Sequence, residues 1–217
     1  DLSVNPVVTM SVNDGTTSVA AVDGVTLTPG GSNTYTATFV VDSETVIDAA
    51  DNEGSVEFTI DFIDDAGNVG AQVSSTTNNS SVEVDYTVPT LDALSISSSN
   101  TTDAKHAKAT EVVTLTMDFD DDLSSAPSVV FTSGSAAVTD ATITYTEVSD
   151  FTADGNEVWT ASYTVDALDT DGQVDFTLTY SDDAENAGVS FDNTDLDGGG
   201  ASETIEIDKS APTLDAL

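Results

Sequence analysis

The chain repeats itself, and this internal repeat constrains its fold more than any other feature. The run DYTVPTLDAL at residues 85–94 returns as DKSAPTLDAL at residues 208–217, an offset of 208 − 85 = 123. GSVEFTI at residues 54–60 returns as GQVDFTL at residues 172–178, an offset of 172 − 54 = 118. Offsets that drift by a few residues are typical of repeats whose loops vary while their strands keep register. The sequence therefore predicts two successive copies of one structural unit.

The repeat also predicts where the units begin and end. The first three residues, DLS, match DLS at residues 122–124. The first copy therefore starts at a position equivalent to residue 122, which is in the interior of the second copy. We expect residues 1–88 to form a domain that lacks its first strand or strands, and residues 89–211 to form a complete domain. Residues 212–217 would then begin a third repeat, and the sequence would be a slice of a longer tandem array.

Apolar and polar residues alternate with a period of two inside each copy. Val113, Leu115, Met117 and Phe119 are separated by single, polar residues, and the same spacing recurs in residues 56–62, 159–165 and 174–180. This spacing is typical of strands that bury one face, and no stretch shows a sustained helical period. Short strands separated by Gly, Asn and Asp turns predict an all-β fold of antiparallel β-sandwiches.

The charge of the chain excludes several classes of partner. Three Lys and no Arg stand against 40 Asp and Glu, which gives a formal net charge of −37. Nucleic acids and anionic membranes are bound through basic residues, so we expect neither as a partner. No apolar run is long enough for a membrane span, and we expect no membrane insertion of this segment. With 38% hydrophobic residues, the chain still has enough apolar material for a folded core.

The sequence offers little for catalysis. It contains no Cys and a single histidine, His106, which lies in the small, polar stretch DAKHAK and is expected in a solvated loop. Carboxylate pairs could suggest glycoside hydrolysis, but acids this abundant form pairs by chance, and the single tryptophan, Trp159, follows the core alternation. We therefore expect that the chain is not an enzyme.

Five consecutive blocks carry a resemblance to a known family. They are VVTLTMDF at 112–119, WTASYTV at 159–165, GQVDFTL at 172–178, DDAEN at 182–186 and DKSAPTL at 208–214. Together these blocks resemble the prokaryotic immunoglobulin-like repeats of cell-surface proteins. The first copy, with FTIDF at 58–62 and DAGN at 65–68, resembles repeats of the surface-layer proteins of marine ammonia-oxidising archaea. The resemblance implies tandem immunoglobulin-like domains, and giant bacterial adhesins carry similar units.

One position departs from the repeat. Glu185 stands where the first copy has Gly67. If the loop needs a positive φ at this position, which favours glycine, the loop of the second copy is expected to turn differently.

The dense carboxylates point to bound cations, because like charges repel across a compact fold unless counterions screen them. Calcium binds carboxylate and carbonyl oxygens in loops and is the expected ion. The sharpest candidate is NTDLDG, which places Asn193, Asp195 and Asp197 at positions 1, 3 and 5 of a calcium loop, with Gly198 at position 6. Position 12 is Thr204 and lacks the usual acid, so an acidic, Gly-rich hairpin loop is the alternative.

Three further sets of acids are candidate ligands for calcium. Asp118, Asp120 and Asp122 occupy alternate positions at the end of a predicted strand, which would place them about 7 Å apart along one face. The pairs Asp64 with Asp65 and Asp182 with Asp183 recur at one position of the repeat, and Asp85 with Asp208 recur at the joints between units. For the Asp pairs, capping of local backbone N–H groups is the alternative.

These features together predict a structural protein of the cell exterior. The expected function is that of a surface-layer or related lattice component, whose rigid acidic repeats associate with one another and bind divalent and small cations. The alternatives are the stalk of a giant calcium-dependent adhesin and a spacer module in a secreted polysaccharide hydrolase.

Overall fold

The computed structural model describes residues 2, 4–13, 18–20, 25–31, 34–40, 53–139, 142–150, 157–196 and 204–214. The chain forms two compact units, residues 1–87 and residues 88–217. The regular secondary structure of the described residues consists of β-strands and one 3₁₀ turn. The predicted all-β class is confirmed.

The first unit contains six described strands. They are β1 (Val7–Asn13), β2 (Ser18–Ala20), β3 (Thr26–Pro29), β4 (Tyr35–Thr38), β5 (Gly54–Asp61) and β6 (Glu83–Val84). Four of them form an antiparallel sheet in the order β2-β1-β5-β6, and β3 pairs with β4 in a separate two-stranded sheet.

The second unit contains ten described strands in two larger sheets. They are β7 (Leu91–Ser98), β8 (His106–Ala107), β9 (Val112–Phe119), β10 (Ser128–Ser133), β11 (Ala136–Ala137), β12 (Thr144–Ser149), β13 (Glu157–Thr164), β14 (Gly172–Thr179), β15 (Phe191–Asp192) and β16 (Ile205–Ile207). One antiparallel sheet has the order β12-β13-β9-β7. The other has the order β11-β10-β14-β16-β8, with β15 paired to β14, and only its β16–β8 pair is parallel.

The core of the second unit lies between its two sheets. Every second residue of β9, from Val113 to Phe119, is fully buried, as the alternation in the sequence predicts. The rings of Phe131 in one sheet and Tyr163 in the other lie 4.9 Å apart, which joins the two layers. Alternate residues of β14 complete the same core. Two sheets that share one core in this way are consistent with a β-sandwich.

Equivalent strands pair at equivalent registers in the two units. Val8 of β1 lies opposite Ile60 of β5, and Val129 of β10 lies opposite Leu178 of β14. These positions differ by 129 − 8 = 121 and 178 − 60 = 118 residues, which are offsets of the sequence repeat. A slip of one residue in the pairing of two strands would turn every side chain of the strand to the opposite face. Because the registers agree, equivalent residues of the two units lie on the same face of their sheets.

The loop after β5 and its counterpart after β14 turn in the same way, contrary to the expectation from Glu185. Gly67 has φ 83° and Glu185 has φ 68°, so both are left-handed. The Gly67 N–H donates to the carbonyl of Asp64 at 3.0 Å, and the Glu185 N–H donates to the carbonyl of Asp182 at 3.1 Å. Glutamate is therefore held in a conformation that glycine adopts more readily.

Candidate metal centre

The first aspartate of each repeated pair organises the loop that contains it. In the second unit, Asp182 is 1% exposed and accepts hydrogen bonds from the backbone N–H of Asn186 at 2.8 Å and from its Nδ2 at 2.9 Å. In the first unit, Asp64 accepts the same two bonds from Asn68, each at 2.8 Å. The side chain of Asn68, followed by its backbone N–H, holds the pKa of Asp64 below its ordinary value. In both loops the carboxylate thus accepts a local backbone N–H, as the capping alternative to calcium binding predicts.

The acids beside Asp182 form an acidic cluster, which comprises Asp121, Asp122, Asp182 and Asp183. One carboxylate oxygen of Asp121 lies within 4.8 Å of one of Asp182. Burial raises the pKa of Asp122, and the negative charges of Asp183 and Asp150 raise it further. A calcium ion binds oxygens at about 2.3–2.6 Å, so two oxygens no more than 4.8 Å apart could both reach one ion between them.

The expected row of Asp118, Asp120 and Asp122 along one strand face does not form. Strand β9 ends at Phe119, so only Asp118 lies in it, and the chain bends over the next residues. The carboxylate of Asp120 accepts hydrogen bonds from the N–H of Thr90 at 2.6 Å and from its hydroxyl at 2.7 Å. Asp120 therefore ties the end of β9 to the residue that precedes β7.

The candidate calcium loop begins as an N-capped 3₁₀ turn, Asn193–Asp195. The carboxylate of Asp192 accepts the N–H of Thr194 at 2.8 Å, and the carboxylate of Asp195 accepts the N–H of Asp192 at 2.8 Å. The hydroxyl of Thr194, and then its N–H, lower the pKa of Asp192. Asn193 donates its Nδ2 to the carbonyl of Val174 at 3.0 Å, which fastens the turn to β14.

Asp197 and Gly198 lie outside the described residues, so calcium in this loop stays a prediction. The cap at Asp192 was not anticipated from the sequence, although its signal was present. Asp192 and Asp195 have the spacing of a capping box, in which the first side chain caps the turn and the side chain three residues later reaches back.

Asp85 and Asp208 make equivalent local contacts, each within its own unit. The carboxylate of Asp85 accepts the N–H of Thr87 at 2.9 Å, and that of Asp208 accepts the N–H of Ser210 at 2.8 Å. Each contact is an Asx turn just before a proline. Of the remaining predicted ligands, Asp65 and Asp183 are exposed.

Glu157, which was not among the residues predicted from the sequence, has a carboxylate that is buried in the second unit. Glu157 is 4% exposed and accepts hydrogen bonds from the N–H of Leu123 at 2.6 Å and from the indole N–H of Trp159. Burial raises its pKa, with smaller contributions from the charges of Asp122 and Glu147. Glu157 lies in β13, two residues before Trp159, at one of the alternate positions that face the core. An acidic residue at a position where the alternation predicts an apolar one was the signal that could have identified it.

His106 lies in the short strand β8 instead of the predicted loop, but its side chain is exposed as expected, at 48%. Its Nδ1 lies 3.1 Å from a carboxylate oxygen of Asp103. The hydrogen bond from the N–H of Lys105, followed by the contacts with His106, lowers the pKa of Asp103.

No protein-family model matches this chain, and no curated protein matches it in sequence. The described residues also contain no helix that is long and apolar enough to cross a membrane.

Proposed function

We propose that the chain is a structural segment of a cell-surface protein built from tandem immunoglobulin-like domains, and that it has no enzymatic activity. The strand order of the second unit supports the fold. Immunoglobulin domains place strands A, B, E and D in one sheet and C, F and G in the other. The second unit has β7, β9, β13 and β12 in one sheet and β10, β14 and β16 in the other, which is the same order.

The observation that carries the proposal is the repetition of this arrangement. In the first unit, β1, β5 and β6 match strands C, F and G, and β3 pairs with β4 as D pairs with E. Two copies with matching registers favour a protein that is extended by repeating one type of module, as lattices and stalks require. A surface-layer lattice is the role that we propose, and its modules would associate with one another outside the cell.

The acidic surface would serve this role by binding cations. The acidic cluster brings two carboxylate oxygens within reach of one ion. Burial, and after it the charges of Asp183 and Asp150, raises the pKa of Asp122, so a divalent cation would relieve charge repulsion there. The net charge of −37 would also enrich small cations near the surface.

Antibodies raised against the chain test the lattice role on intact cells of its source organism. Immunogold label on a two-dimensional array, seen by electron microscopy of cell envelopes, would support it. Label along isolated long fibres would instead indicate an adhesin stalk. Label confined to a secreted hydrolase would refute both surface roles.

Calcium binding is tested separately on the purified chain. Thermal unfolding is followed through the fluorescence of Trp159 in calcium chloride and in chelator, with sodium chloride matching the ionic strength. We expect calcium to raise the midpoint, because a ligand at 100 times its Kd stabilises the folded state by about 2.7 kcal/mol. The variant Asp121→Asn, matched in every other position, should respond less. Equal midpoints with and without calcium would refute structural calcium in the second unit.

A further inference from the structure

The ammonium of Lys209 lies against a loop of the second unit that precedes β14. Its Nζ donates hydrogen bonds to the backbone carbonyl of Ala167 at 3.1 Å and to that of Asp169, and it lies 3.4 Å from a carboxylate oxygen of Asp171. The side chain of Lys209 is only 20% exposed, whereas that of Lys108 is 67% exposed. An ammonium has three N–H donors, so these three oxygens can satisfy all of them.

The three oxygens are of the kind that bind metal cations. Two carbonyl dipoles and a carboxylate that point at one place repel one another unless a cation lies between them. Calcium takes backbone carbonyls and carboxylates from loops at about 2.3–2.6 Å, and water completes its shell. For calcium to replace the Lys209 ammonium, the oxygens would have to move inward by less than about 1 Å.

The loop is held in place by bonds that do not involve Lys209. Asp169 is 3% exposed, and its carboxylate accepts hydrogen bonds from the N–H of Thr139 at 2.6 Å and from the N–H of Asp166 at 2.9 Å. These bonds fix the backbone on both sides of the Ala167 carbonyl. We therefore expect the oxygens to stay near their positions when the charge of Lys209 is removed.

The repeat shows that the lysine is not a general requirement of this loop. VDALDTDG at residues 165–172 corresponds to IDAADNEG at residues 47–54, an offset of 172 − 54 = 118. The residue that corresponds to Lys209 is Tyr86, at an offset of 209 − 86 = 123, and residues 1–88 contain no Lys, Arg or His. The acids of the loop thus occur in both copies, and the lysine occurs in one.

A contact beside the ammonium is common to both units. The carboxylate of Asp171 accepts the hydroxyl of Ser210 at 3.2 Å, and that of its counterpart Glu53 accepts the hydroxyl of Thr87 at 2.7 Å. The remainder of the first loop, residues 47–52, lies outside the described residues. Among the contacts that can be compared, the ammonium is the one that the second unit adds.

We propose that residues 167–171 form a cation site whose resident cation is the ammonium of Lys209, and that a calcium ion takes its place when the ammonium is removed. Through this contact, Lys209 fastens the end of β16 to the loop ahead of β14 without a dissolved ion. Neither the cell-surface role nor calcium at the acidic cluster is needed for this site.

Calorimetric titration with calcium chloride tests the site on the 217-residue chain and its variant Lys209→Met. Methionine is unbranched like lysine and removes the charge. Sodium chloride at about 0.15 M screens diffuse binding to the acidic surface. We expect K209M to bind one calcium ion more than the unmodified chain. In chelator its urea midpoint should be the lower of the two, and calcium should narrow this difference.

The double variant K209M/D171N is the matched control, because it lacks the side-chain ligand as well as the ammonium. It should bind no more calcium than the unmodified chain. The acidic cluster is intact in all three chains, so calcium there would add equally to each and would not alter the comparison.

Three results would overturn the proposal. The first is an equal number of bound ions in K209M and the unmodified chain. The second is an additional ion that K209M/D171N keeps, which would place the ion elsewhere. The third is failure of K209M to fold in calcium chloride, which would show that calcium does not replace the ammonium.

Discussion

Replacing Glu185 by glycine should stabilise the second unit. Glu185 has φ 68° in a loop whose counterpart carries Gly67 at φ 83°. A Cβ at Gly67 would meet no heavy atom within 4 Å, so in that equivalent loop the backbone conformation, not crowding, is what favours glycine. The left-handed conformation costs an L-residue about 1–2 kcal/mol, and the larger backbone entropy of unfolded glycine offsets about 0.5–1 kcal/mol of that gain. We expect Glu185→Gly to add about 1 kcal/mol to the free energy of unfolding.

Urea denaturation followed by Trp159 fluorescence measures this effect, because the only tryptophan of the chain lies in the second unit. With a slope of about 2 kcal/mol per molar urea, the midpoint should rise by about 0.5 M. Glu185→Gln is the control, since it removes the same charge and keeps a left-handed residue with a side chain. A midpoint for the glycine variant no higher than that of the glutamine variant would refute the conformational explanation.

Three further predictions concern the packing and the buried acid. Gly188→Ala should destabilise the second unit by about 1–3 kcal/mol in the same urea assay, because the new Cβ would lie 2.3 Å from the ring of Tyr180; an unchanged midpoint would contradict this contact. Leu178→Ala, at a fully buried position, should cost about 2–5 kcal/mol, whereas Ile60→Ala, at the half-buried counterpart, should cost about 1 kcal/mol, measured by hydrogen exchange of each strand; equal costs would argue against this difference in burial. Burial raises the pKa of Glu157 in the folded state, so protonation of this carboxylate favours folding. The free energy of unfolding should therefore rise as the pH falls from 7 through the raised pKa towards the ordinary value of 4.5, below which Glu157 is protonated in both the folded and the unfolded state. The urea midpoint should rise less over this pH range in Glu157→Gln than in the unmodified chain. An identical rise in both would exclude Glu157 as a cause of the pH dependence.

The strands could be predicted from the sequence because their signals are repeated and local. The alternation from Val113 to Phe119 identified β9, and the repeat identified equivalent strands in both units. The loops were harder, because a short network of hydrogen bonds can hold Glu185 in a conformation that its own preference disfavours.

The candidate ligands were predictable as positions but not as contacts. Asp120 and Asp122 alternate in sequence, yet the chain bends after Phe119, so their spacing did not become a strand face. The role of Asp64 in its loop was an anticipated alternative, since carboxylates in turns commonly accept nearby N–H groups. Asp121 was not among the predicted ligands, and its proximity to Asp182 depends on tertiary packing, because 182 − 121 = 61 residues separate the two in sequence.

The central claim is that one strand arrangement occurs twice, and cysteine crosslinking tests it most directly because the chain has no native cysteine. Thr9 lies opposite Thr59 in the first unit, and Val130 lies opposite Thr177 in the second. Opposed residues of antiparallel strands have Cα atoms about 4.5–5.5 Å apart, within the range of a disulfide.

The cysteine pairs T9C/T59C and V130C/T177C should therefore both oxidise rapidly in the folded chain. Pairs shifted by two residues, T9C/E57C and V130C/D175C, should not, since diagonal neighbours lie about 7–8 Å apart. Rapid oxidation of both opposed pairs and of neither shifted pair is the result that the repeated register predicts. Crosslinking of the shifted pairs, or of the opposed pair in one unit only, would contradict it.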